Sequence, residues 1–87
     1  MQERRLVVHN THGLHARPAA LFVQKAGSFP CKVRLAKEGG AAVDAKSILS
    51  VMGLGVEHGT AIVLSAEGEG ETEALEALAL LLTSPTA

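Results

Sequence analysis

The chain has 87 residues and a mass of 9.0 kDa, enough for one domain and too little for an enzyme carrying its own cofactor module. Aromatic residues make up 2% and apolar residues 47%, so the core is aliphatic, and the stacking platforms that read RNA bases are excluded. The formal net charge of −1 hides a division: residues 1–37 hold seven Lys or Arg against one acid, and residues 38–87 one Lys against eight acids. A basic N-terminal half of this kind attracts phosphate groups or an acidic protein surface.

The lone cysteine, Cys31, excludes an internal disulfide and a thiolate zinc cluster. Too few apolar positions follow Met1 for a signal peptide, and no apolar run approaches the roughly 20 residues of a membrane span. The expectation is a soluble, cytoplasmic protein with no membrane insertion.

In chain order, Leu6-Val7-Val8 reads as a strand that ends at the polar turn Asn10-Thr11-His12-Gly13. From Ala16 to Ala26 the period becomes helical, with Ala19, Phe22, Val23 and Ala26 on one stripe and Gly27 at the C-terminal cap. Pro18 lies in the first turn, where its missing N–H costs nothing. Cys31 to Ala36 alternates as a strand, Lys37 to Gly40 turns, and Ala41 to Ala45 returns as a weaker strand. Ser47 is an N-cap for a short helix from Ile48 to about Gly53, with Val51 and Leu54 inward. Thr60 to Ala66 is the next strand, its inner face carrying Ile62 and Leu64. Glu71 to about Thr83 is an amphipathic helix with Ala74, Leu75, Leu78, Leu81 and Leu82 on one side and its acids toward the N-terminus. The order β-α-β-β-α-β-α predicts one α+β domain over residues 1–87, a four-stranded antiparallel sheet with three helices on one face.

The chemistry concentrates at His12-Gly13-Leu14-His15-Ala16-Arg17-Pro18-Ala19. His15 stands at the start of the first predicted helix. An anion attached there would face the free backbone N–H groups of Ala16 and Arg17 and the positive end of the helix dipole. Arg17 adds a guanidinium fork suited to phosphate oxygens, Pro18 stiffens the turn, and Gly13 lets the backbone bend before it. A neutral imidazole so placed is a nucleophile toward a phosphoryl group. By residue type alone, His15 as a plain helix cap and Arg17 as a solvated charge remain an alternative.

Gly13-Leu14-His15-Ala16-Arg17-Pro18-Ala19 resembles the active-site signature of the HPr family, the histidine-containing phosphocarriers of the bacterial phosphoenolpyruvate:sugar phosphotransferase system. Length, element order and a second motif, from Lys46 through Gly55, extend the resemblance over essentially the whole chain. It implies an open-faced β-sandwich of strand order 1-4-2-3. It also implies that His15 takes a phosphoryl group on Nδ1 from enzyme I and passes it to enzyme IIA domains, with Arg17 supporting the phosphohistidine. Such a protein is a carrier and substrate of enzymes, with no cofactor and no enzyme activity of its own, and is expected to be a monomer.

Ser47 matches a serine that an HPr kinase/phosphorylase modifies in many relatives, so it is a candidate regulatory site as well as a cap. Exposed Ile48, Leu49 and Met52, with Ala20 and Gln24 of the first helix, would form a small apolar docking patch beside His15; an inward Leu49 is equally compatible with the pattern. Two features depart from the family: His12 stands where a small polar residue is more usual, and the hairpin around Lys37 to Gly40 is one residue longer. The imidazole of His12 is placed to hydrogen-bond the phosphate or perturb His15.

Three rival readings are weaker. His9, His12 and His15 lie on three different predicted elements, which argues against a metal site. The basic residues lack interleaved aromatics, which argues against nucleic acid. A purely regulatory module of the same fold would lack a phosphorylatable histidine, and this chain has His15.

Overall fold

A computed structural model describes residues 1–9, 13–14 and 16–83, Ala16 by its backbone only. Its elements are β1 (Gln2–Val7), α1 (Ala16–Gly27), β2 (Lys32–Lys37), β3 (Val43–Asp44), α2 (Ile48–Gly53), β4 (Ala61–Glu67) and α3 (Glu71–Thr83). The four strands form one antiparallel sheet in the order β1-β4-β2-β3, as expected.

Register and burial explain why the helices lie where they do. Ile62, Leu64 and Ala66 of β4 alternate inward, with Leu6 opposite Ile62 and Leu35 opposite Leu64 on the flanking strands. The period-two alternation makes that face apolar and leaves Lys32 and Arg34 on the other. α3 packs across β1 and β4, α1 lies between α3 and α2, and α2 reaches β3. Phe22 of α1 is fully buried, together with Leu75, Leu78 and Leu82 of α3 and Val51 of α2.

The boundaries depart from expectation where backbone pairing overrides local composition. β1 begins at Gln2 instead of Leu6, because Gln2 to Arg5 pair with Ala66 to Val63. An edge strand tolerates such charges, since one side remains in water. β2 is displaced by one residue, though Cys31 still points into the core. β3 shrinks from the expected Ala41–Ala45 to two residues, Val43 and Asp44, opposite Leu35 and Arg34. Gly and Ala before it lack the branched side chains that favour a pleated surface. Thr60 is excluded from β4 because it closes a turn: its Oγ1 accepts from Glu57 N at 3.0 Å and its own N–H donates to Glu57 O at 3.0 Å. Gly27 belongs to the last turn of α1 instead of capping it. Ser28 closes that end, its N–H and its hydroxyl both donating to Lys25 O, at 3.1 and 2.6 Å.

Both later helices begin as their sequences predict. Ser47 caps α2 with extended backbone and accepts from Ser50 N at 3.4 Å. At α3, Glu71 Oε1 accepts from Gly68 N at 3.0 Å, and two acids in the first turn complement the dipole. Leu54 and Leu81, expected inward, are half-buried at the margin of the core, and Ala79 takes an inner position on α3.

Candidate functional site

The site is built at the N-terminus of α1. The helix opens at Ala16 with no acid in its first turn, so no carboxylate of its own turn offsets the positive end of its dipole. Arg17 is exposed there, whereas Pro18 and Ala19 are buried and anchor the turn on the core. His15 precedes Ala16 in the chain and, with Asn10, Thr11 and His12, lies outside the described residues.

The approach to that position is described. Leu14 is fully buried, and its N–H donates to Val56 O at 2.9 Å. Gly13 has φ +62°, a left-handed conformation that L side chains rarely adopt. A Cβ there would stand 2.4 Å from Val56 O and 2.6 Å from Glu57 Cα. The glycine therefore serves two demands at once, a backbone angle and a close approach of two chain segments.

Beside Arg17 runs an open groove of about 440 Å³ lined by Arg17, Ala20, Leu21, Val23, Gln24 and Ile48. It brings together three of the expected docking residues, Ala20, Gln24 and Ile48. Leu49 and Met52 do not line it, but both are exposed, Leu49 at 82% and Met52 at 40%. The inward alternative for Leu49 is thereby removed: on a helix of six residues only Val51 is fully buried. Leu21, 40% exposed, was missed by sequence reasoning. It falls outside the Ala19, Phe22, Val23, Ala26 stripe, and a large apolar residue off the stripe was the available signal.

Ser47 is half-buried, and its hydroxyl is occupied in capping α2. The preceding Lys46 is tied down at both ends: its N–H donates to Asp44 Oδ1 at 2.9 Å and its Nζ to Phe29 O at 2.8 Å. The rings of His9 and His58 meet edge to face with centroids 6.4 Å apart. Among the described residues no group of three or more His, Cys, Asp or Glu is arranged to hold a metal ion. No helix of the described residues is long and apolar enough to cross a membrane.

Comparison with known proteins places this geometry. Residues 2–84 match the family model described as the PTS HPr component phosphorylation site. The chain is 48% identical over 82 residues to the phosphocarrier protein HPr of Streptomyces coelicolor, covering 94% of this chain and 88% of that one. It is 51% identical over 79 residues to the HPr-like protein Crh of Bacillus subtilis, covering 91% and 92%. Among solved structures, the phosphocarrier protein HPr of Bacillus anthracis superposes with a TM-score of 0.90 at 43% identity, over 93% of this chain and 95% of that one. An HPr from Thermoanaerobacter tengcongensis, solved as a dimer, matches with a TM-score of 0.72 at 48% identity, over 93% and 92%. The groove and exposed arginine at the start of α1 thus sit on a fold and a sequence shared with phosphocarriers, and the chain belongs to the HPr family of the phosphotransferase system.

Proposed function

We propose that this protein accepts a phosphoryl group from phospho-enzyme I on Nδ1 of His15 and donates it to enzyme IIA domains. The observation that carries the reading is the exposed Arg17 in an acid-free first turn, two residues after His15 in sequence. In the transfer, the Nδ1 lone pair forms the bond to phosphorus as the bond from phosphorus to its donor breaks, and Nε2 keeps the ring proton. Arg17 and the N–H groups of Ala16 and Arg17 stabilise the charge on the phosphoryl oxygens. Chemistry of this type is positioning and electrostatics, so a carrier with no metal and no cofactor suffices.

The partner surface in this reading is the groove of Ala20, Gln24 and Ile48 with the exposed Leu49 and Met52 beside it. The chain works as one unit, residues 1–87, in the cytoplasm and as a single copy. Light scattering on the purified protein tests the last point against the dimeric Thermoanaerobacter relative. Ser47 is a second acceptor, for an ATP-dependent HPr kinase/phosphorylase. Its phosphate would add negative charge next to the docking face and weaken the encounter with an acidic partner.

The likeness to Crh, named a catabolite repression HPr in its solution structure, favours a second reading, a regulatory module of the same fold. Intact-protein mass spectrometry separates the two. With enzyme I and phosphoenolpyruvate, the carrier reading expects one acid-labile phosphoryl adduct that is absent from His15→Ala. No adduct, with enzyme I shown active on another HPr, leaves the regulatory module. An acid-stable adduct with HPr kinase and ATP, lost in Ser47→Ala, tests the regulatory arm.

A further inference from the structure

We propose that the α2–β4 connection, Val56 with Glu57, is a positioning element for phosphoryl transfer, acting on the acceptor through Gly13 and Leu14. The proposal rests on the carrier reading of His15. Leu14 N–H is bonded to Val56 O at 2.9 Å, and both residues are fully buried. One residue earlier, the Gly13 backbone lies so close that a Cβ would meet Val56 O at 2.4 Å and Glu57 Cα at 2.6 Å. One residue past His15, α1 begins at Ala16. The acceptor is therefore the single residue in the chain between a segment docked on Val56 and Glu57 and a helix docked on the core.

The connection is held from both sides. Glu57 is closed into its own turn by Thr60, which accepts from Glu57 N and donates to Glu57 O, each at 3.0 Å. Val56, fully buried, is packed in the core cluster. The atoms that Gly13 approaches are backbone, so they cannot rotate aside as a flexible side chain would. A side chain at Gly13 must push that segment outward, and the displacement falls next to the acceptor. Phosphoryl transfer depends on in-line placement, where a misplacement of about 1 Å costs on the order of 100-fold in rate. Docking depends on other residues, those of the α1 and α2 surface, which the displacement leaves alone.

The test uses the full chain, with enzyme I and phosphoenolpyruvate. Gly13→Ala is expected to stay folded and to lower kcat for phosphoryl acceptance about 30- to 100-fold, with KM for the carrier within about threefold of wild type. Thr60→Val removes the hydroxyl that holds Glu57 without touching the α1 surface, and is expected to lower kcat about three- to fivefold at unchanged KM. It carries the test if Gly13→Ala does not fold. Hydrolysis of the isolated phosphohistidine gives a partner-free readout, expected to quicken in Gly13→Ala. Wild-type kcat in a folded Gly13→Ala overturns the proposal, as does a loss of rate that only follows the unfolded fraction. If wild type itself takes no phosphoryl group on His15, the carrier reading fails and this proposal with it; if wild type is labelled and the variants transfer normally, only the positioning role fails.

Discussion

Helices α2 and α3 place most of their apolar residues differently. α3 has thirteen residues and buries Ala74, Leu75, Leu78, Ala79 and Leu82 against β1, β4 and α1. α2 has six residues and buries only Val51, leaving Ile48, Leu49 and Met52 in water. A helix that short gains little stability of its own, and its exposed side chains add less by burial than the buried leucines of α3. Under the carrier reading proposed above, these exposed apolar side chains beside Arg17 are the surface that meets a partner. The two helices teach that apolar residues in this chain are divided between core and surface, most of those on α3 buried and most of those on α2 exposed.

The sharpest way to break this comparison is Leu78→Ala on α3. The residue is fully buried, so its truncation should cost about 3 kcal/mol of stability by chemical denaturation. KM with enzyme I should stay at the wild-type value well below the unfolding midpoint. A Leu78→Ala protein that melts normally but docks poorly would reverse the assignment of the two helices.

Leu49→Ala on α2 is the opposite case. At 82% exposure, it should change stability by no more than about 0.5 kcal/mol. Its affinity for enzyme I in calorimetry should fall about tenfold, close to 1.4 kcal/mol. Equal binding by wild type and variant would remove Leu49 from the docking surface.

The smallest expected effect is that of Ser47→Ala. A capping serine is typically worth about 1 kcal/mol, but the bond from Ser50 N to Ser47 Oγ is 3.4 Å, at the long end for a hydrogen bond. A loss near 0.5 kcal/mol is expected in thermal unfolding. A loss well above 1 kcal/mol would mean that α2 depends on its cap far more than its geometry indicates.

Much of the fold was legible residue by residue. The Ala19, Phe22 and Ala26 stripe, the Ser47 cap and the acidic start of α3 are local features, and local hydrogen bonding with side-chain periodicity reads directly from adjacent positions. Boundaries failed where a distant partner decided them. Gln2 to Arg5 look like a charged leader but are a strand because β4 pairs with them, and Thr60 looks like strand but is held by Glu57. At the candidate site, Arg17, Ala20, Gln24 and Ile48 were legible from spacing and resemblance, whereas Leu21 required seeing which face α1 leaves open.

By itself, the sequence determined the order of elements, the aliphatic core and the clustering of Gly13, His15, Arg17 and Pro18 around the start of α1. Each depends on near neighbours or on composition, and so is written into the chain locally. Tertiary structure alone decided that Leu49 faces water, that β3 is cut to Val43 and Asp44, and that Gly13 lies against Val56 and Glu57. These outcomes depend on which remote segments meet and how closely, and steric exclusion between such segments leaves no periodic mark in the sequence.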